Sequence, residues 1–197
     1  TNRYYALRHG VSLANEKHLI VSRFGHGRLA AHGLAVAGEA QAEAAGERLR
    51  SLAPRREQTF FLTSDFSRTT QTATLARRAF LRGDDGDAPG LYLTPFLRER
   101  DFGDFELRST AHYADVWRED AVDATHRKSN VEAAAAVADR AFRAVELAEA
   151  FLGPDADVVL VSHGDCLQLL QTRLEGVSPS THRELKHLEP GELRRLV

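Results

Sequence analysis

Four short stretches of the chain are dense in aromatic and β-branched residues and are bounded by turn or charged residues. They are residues 3–8 (RYYALR), 59–64 (TFFLTS), 91–94 (LYLT) and 158–162 (VVLVS), and runs of this kind read as strands. Residues 158–161 are apolar without alternation, as expected of a strand covered on both faces. A fifth strand is expected over residues 192–197, after the Pro190-Gly191 turn. Between these runs the period changes. From Val131 onward, Ala138, Ala141, Phe142, Val145, Ala148 and Leu152 follow helical spacing, with Asp139, Arg140, Arg143 and Glu146 on the opposite face. Residues 37–52, 68–81 and 165–174 are Ala- and Leu-rich, free of proline, and also read as helices. Strands alternating with helices predict an α/β fold with a mainly parallel sheet and right-handed crossovers. No repeat or linker divides the pattern, so one domain over residues 1–197 is expected. The clearest long irregular connection is 83–90 (GDDGDAPG).

Composition narrows the function classes. The 197 residues carry 26 Lys+Arg against 28 Asp+Glu, a formal net charge of −2. That balance argues against nucleic acid as a partner, which calls for a basic excess. No apolar run approaches the length of a membrane span. The start of the chain shows no basic-then-apolar leader, so a cytoplasmic protein is expected. A single cysteine forms no internal disulfide, and a core of this size needs no metal or disulfide staple. Only Lys17, Lys128 and Lys186 are lysines. In so Arg-rich a chain, an arginine carries weight only at a special position.

Three strand ends are such positions. In an open α/β sheet, ligands bind beyond the carboxyl ends of the strands. The first strand ends in Arg8-His9-Gly10, the second runs through Ser64 toward Arg68 at a helix start, and the fourth ends in Ser162-His163-Gly164. Two imidazoles and two guanidinium groups on one rim, beside helix N-termini, suit a phosphoryl group.

These residues carry a resemblance. Residues 7–15 (LRHGVSLAN) are similar to the RHGxSxxN signature of the histidine phosphatase, or phosphoglycerate mutase-like, superfamily. The likeness continues in order with Gly38–Ala42 (GxxQA), with 64–73 (SDFSRTTQTA), with 97–103 (LRERDFG, an L-x-E-x-x-x-G acid loop) and with Val161–Gly164. It implies a three-layer α/β/α domain with a mostly parallel central sheet. His9 would be the nucleophile that becomes phosphohistidine, its other ring nitrogen held by a backbone carbonyl. Arg8, Arg68 and His163 would clamp the phosphoryl oxygens, with Ser12, Asn15 and the Gly164 N–H adding neutral contacts. Glu99 would serve as general acid and base, its pKa raised by the phosphate. Composition alone does not choose it over Asp101, Asp104 and Glu106.

The resemblance implies no cofactor and no metal. The expected partner is a small phosphorylated substrate or inorganic phosphate, with a homodimer left open. Arg23, Arg28, Arg100 and His126 fall in or beside the segments that match least, 17–32 and 107–128, and are candidate substrate contacts; the physiological substrate is not legible. The chain departs from the pattern at Leu107 (for Gly), Ala35 (for Thr) and Ala133 (for Ser), departures expected to bear on substrate recognition.

Three functional readings follow. The first is a phosphatase acting through His9, the second a mutase returning the phosphoryl group to substrate, and the third a non-catalytic phospho-ligand binder. The shortness of the chain favours hydrolysis over the mutase, whose larger relatives enclose a bisphosphate. A set of five chemical side chains disfavours the binder. Several other patterns are decoys. Residues 25–30 (GHGRLA) fit GxGxxA, but Arg23-Phe24 separate them from a candidate strand at 19–22 and no acidic strand end follows at about 20 residues, as a dinucleotide fold requires. Cys166 and Arg173 miss the C-x5-R spacing of cysteine phosphatases, and Cys166 is expected to be core. Asp84, Asp85 and Asp87 lack the Ca²⁺-loop pattern, and no metal motif includes the nine histidines. His182 and His187 are expected on a solvated surface, and Trp117 is left between core and pocket wall.

Overall fold

A computed structural model describes residues 2–53, 55–82 and 90–196. The irregular connection and the three aspartates of the Ca²⁺ pattern fall on 83–89, outside the described residues, as does Val197. Five strands are present: β1 Arg3–Arg8, β2 Thr59–Thr63, β3 Leu91–Leu93, β4 Asp157–Ser162 and β5 Leu193–Arg195. Seven α-helices accompany them among the described residues: α1 Leu13–Glu16, α2 Phe24–Gly27, α3 Val36–Leu52, α4 Ser67–Leu81, α5 Tyr113–Val122, α6 Ala134–Phe151 and α7 Gly164–Glu175. The sheet order is β3-β2-β4-β1-β5, parallel except for β5, which pairs antiparallel with β1.

Alternation along the central strands builds the layers. Tyr4 and Ala6 of β1, with Val158 and Leu160 of β4, enter one core cluster with the apolar faces of α6 and α7. Tyr5, Leu7, Val159 and Val161 enter another with α3 and α4. Side chains of successive strand residues point to opposite faces, so the sheet is covered on both sides and β4 is buried throughout. The architecture is the expected three-layer α/β/α. The helices start within a few residues of the expected positions; β3 and β5 are shorter than expected, each three residues at a sheet edge.

Local contacts between motifs explain why the rim is ordered. A Cβ on Gly10 would lie 2.3 Å from Gly38 O, and one on Gly38 would lie 2.0 Å from Val11 O, so only glycines let α3 meet the loop after β1. Gln41, one turn further along α3, accepts the Val11 N–H at 2.8 Å. Thr72 of α4 accepts the Gly10 N–H at 3.2 Å. The motif residues Gly10, Gly38, Gln41 and Thr72 are therefore the anchors of one loop.

The three departures from the family pattern have a different cost from the one expected. Ala35 is the N-cap residue of α3 and Ala133 that of α6, and neither helix has a side-chain cap. The Thr and Ser of the pattern would supply that oxygen. Leu107 has φ +60°, the left-handed region that favours glycine. These positions therefore bear on stability. Ala35→Ser and Ala133→Ser are each expected to add about 1 kcal/mol. Leu107→Gly should add on the order of 0.5 kcal/mol, the left-handed strain less glycine's extra chain entropy. Thermal unfolding checks this: each serine variant should melt a few degrees higher, and a lower midpoint for all three variants would contradict the assignment.

Candidate active site

The ends of β1, β2 and β4 converge as the sequence predicts. His9, directly after β1, is buried, and its backbone N–H donates to Ser162 O at the end of β4 at 3.0 Å. Its Nδ1 lies 2.7 Å from Gly10 O, so that nitrogen carries the proton. Its Nε2 accepts from Arg68 Nε at 3.1 Å and is therefore unprotonated. Burial, then Arg68 and Arg8, hold the imidazole well below its ordinary pKa, against the opposing Gly10 carbonyl. Burial is the largest cause, ahead of the guanidinium groups.

Arg68 stands in the first turn of α4, buried, with Nη2 donating to Val21 O at 2.9 Å. His163 sits at the end of β4 with its ring centroid 5.2 Å from that of His9, and its Nε2 lies 3.0 Å from Ser64 Oγ. Arg8 donates Nη1 to Leu188 O at 2.8 Å, with His187 Nε2 at the same distance. Gly164 opens α7 against Arg8, and α7 has no side-chain cap. Arg8 Nε, Arg68 Nη1 and His163 Nδ1 are buried with no hydrogen-bond partner among the described residues. Buried donors left in this way are costly, and here three belong to the residues expected to hold a phosphoryl group. No cluster of His, Cys, Asp and Glu among the described residues is arranged to hold a metal ion, and no described helix is long and apolar enough to cross a membrane.

Glu99 reaches the same place from the acid loop. Arg140 of α6 holds that loop by donating to the carbonyls of Phe96, Arg98 and Glu99 at 2.8, 2.9 and 3.0 Å, and it pairs with Glu132 at 2.8 Å. Ser162 Oγ donates to Leu97 O at 2.7 Å, tying the loop to β4. Burial first, then Asp165, push the Glu99 carboxyl up to about 7, opposed by Arg68, the Arg100 N–H and Arg8. The rise thus needs no phosphate. Arg8, His9, Ser12, Asn15, Arg68, Glu99 and Tyr113 line a hollow of about 50 Å³. Ser12 caps α1 in a reciprocal pair with Asn15.

Other expected contacts lie elsewhere. Arg23 is exposed, 3.4 Å from Asp101, and lines a separate cavity of about 670 Å³ that shares Glu99 with the hollow. Arg28 is exposed beside the Phe24 ring. Arg100 is fully buried, bidentate to Asp120 at 2.6 and 2.8 Å, and His126 Nε2 meets the same carboxylate at 2.8 Å. Both are structural, because a buried ion pair with satisfied geometry has no donor to spare for a ligand. His182 is buried, 3.3 Å from Asp165, and His187 is half-buried on Arg8; neither is a solvated surface residue. Cys166 is core, its thiol pushed up to about 11 by burial.

Sequence reasoning missed several residues. Glu106, one of the carboxylates that composition leaves beside Glu99, accepts from Ser22 N at 2.8 Å, Ser22 Oγ at 2.5 Å and Arg23 N at 3.2 Å, with His26 Nδ1 at 2.8 Å. Burial alone would raise its pKa, yet these bonds hold it below the ordinary value. Its place after the acid loop was the available signal. Tyr113, Arg140 and His187 carried no signal, because their partners are distant in sequence.

No curated protein matches the chain in sequence. Solved structures do. A mycobacterial glucosyl-3-phosphoglycerate phosphatase complexed with VO3 is 26% identical, with TM-score 0.75, covering 98% of this chain and 91% of its own. A protein described as mycobacterial hydrolase 1 is 25% identical, with TM-score 0.76, covering 98% and 87%. A putative α-ribazole-5′-P phosphatase from Escherichia coli, at 24% identity and TM-score 0.72 over 98% and 88%, shares the fold. Such relatives indicate phosphatase or mutase chemistry, and the family model of the histidine phosphatase superfamily, branch 1, matches residues 4–197: the chain belongs to that superfamily.

Proposed function

We propose that the protein is a phosphatase that hydrolyses a small phosphomonoester through a phosphohistidine on His9. The observation that carries this reading is the state of the His9 ring. Nδ1 is fixed as donor to Gly10 O at 2.7 Å, and Nε2 is left with its lone pair toward Arg68 at 3.1 Å. A neutral imidazole with one nitrogen pinned is a nucleophile at the other. In the first step Nε2 attacks phosphorus, the ester P–O bond breaks, and Glu99 gives its proton to the leaving oxygen. In the second, water attacks phosphorus, its proton passes to the Glu99 carboxylate, and the N–P bond breaks to release orthophosphate. Arg8, Arg68 and His163 stabilise the charge on the non-bridging oxygens in both steps.

The hollow of about 50 Å³ that Arg8, His9, Arg68 and Glu99 line suits a single phosphoryl group. The mycobacterial phosphatase among the structural relatives, complexed with VO3, supports the same reaction class. The substrate of this protein is a small phosphorylated metabolite.

Incubation with a phosphorylated substrate should place an acid-labile phosphoryl label on the wild type and none on His9→Ala, which keeps its fold and loses turnover. Wild-type turnover by His9→Ala would overturn the mechanism. The Glu99 carboxyl at about 7 gives a second expectation. The acid form is the active one in the first step, so kcat/KM for an alkyl phosphate should fall about tenfold per pH unit above pH 7. Glu99→Gln should cost about 10²–10⁴-fold with that substrate. It should cost far less with p-nitrophenyl phosphate, whose leaving group needs no proton. Equal losses on both substrates would remove Glu99 from the acid role.

A further inference from the structure

The hollow has one polar wall that no motif accounts for. Tyr113 is the first residue of α5, in the segment of the chain least like the family pattern, and it lines the hollow with His9, Arg8, Arg68 and Glu99. A hollow of about 50 Å³ has room for a few waters. A single phosphoryl group is of that scale, so the polar groups on this wall, Tyr113 among them, are the ones within reach of a phosphoryl group bound there.

The ring of Tyr113 is held in place for this. Phe102 meets it edge-on at 4.7 Å and 62°, and Trp117, four residues on, stacks at 5.4 Å and 17°. Trp117 is itself fixed, with Nε1 donating to Asp165 at 2.9 Å and the Arg183 guanidinium 3.7 Å from its ring centre. Asp165 lies in the first turn of α7, two residues after His163. A chain of ring contacts and one hydrogen bond thus ties Tyr113 to the element that carries His163. Yet the Tyr113 hydroxyl makes no hydrogen bond among the described residues. The other hydroxyl of the hollow, Ser12 Oγ, is already spent as a donor on Asn15 Oδ1 at 2.9 Å. Burial, then Glu99 and Asp165, push the Tyr113 pKa upward against Arg68 and Arg8, so the phenol keeps its proton at every working pH.

We infer that Tyr113 is a further phosphate-binding residue, its O–H donating to a non-bridging oxygen of the phosphoryl group held by Arg8, Arg68 and His163. The inference rests on the reading of the hollow as a phosphate site, and it assigns a binding role to helix α5. A neutral donor adds a fourth contact without further lowering the basicity of His9 or the pKa of Glu99.

Tyr113→Phe is the test, because it keeps the ring between Phe102 and Trp117 and removes one oxygen. Calorimetric titration with inorganic phosphate should show binding weakened about tenfold or more, as expected for loss of a hydrogen bond to a charged group. KM for a phosphomonoester should rise to match, with the thermal midpoint unchanged. Phosphate affinity and KM within twofold of wild type would overturn the inference. So would a fall in kcat/KM with phosphate affinity unchanged, or a wild type that binds no phosphate. A wild type that binds phosphate in a Tyr113-dependent way but shows no turnover would sustain this inference and remove the phosphatase reading.

Discussion

Burial of a neutral imidazole between a carbonyl and a guanidinium is the constraint on which this site depends. Gly10 O takes the Nδ1 proton and Arg68 Nε points at the opposite nitrogen, both within 3.1 Å. Two neighbouring positive charges alone would make histidine a poor base; burial in the same place makes it neutral without competition from water. The cost is borne by the loop after β1, which must approach α3 so closely that Gly10 and Gly38 admit no side chain. Gln41 and Thr72 then take its N–H groups. The motif positions that do no chemistry hold the one that does.

A second layer sets the acid. Glu99 rises to about 7 because it is buried and faces Asp165. Its loop is held by Arg140 through three carbonyls and by Ser162 through a fourth. His9 is depressed and Glu99 is raised by the same dryness, which is how one small hollow obtains a base-like nucleophile and a protonated acid together. Asp165 also receives Trp117 and lies near Arg100 and His182. This buried carboxylate therefore joins the acid loop, the start of α7 and helix α5.

Much of this was legible in the chain. Strand ends carrying Arg8-His9 and Ser162-His163 stand out because a parallel sheet sends its ligands to the carboxyl ends of its strands, and Arg68 follows from the helix start after β2. What was not legible is whatever depends on distant pairing. Arg100 and His126 look like free contacts in sequence and are instead closed on Asp120. His187 looks like a tail residue and instead meets Arg8. Tyr113 and Trp117 lie one helical turn apart, a spacing shared by any amphipathic helix, and only the fold brings the tyrosine to the hollow. The departures at Ala35, Ala133 and Leu107 carry a bearing on stability that only the helix starts and a positive φ reveal.

The central claim is the protonation state of His9, and nitrogen-15 NMR of its imidazole reads it directly. Between pH 8 and pH 5, Nδ1 should keep its proton and Nε2 should stay unprotonated, with no transition near the ordinary histidine value of about 6.5. A ring that takes up its second proton near pH 6.5, or that carries its single proton on Nε2, would contradict the account.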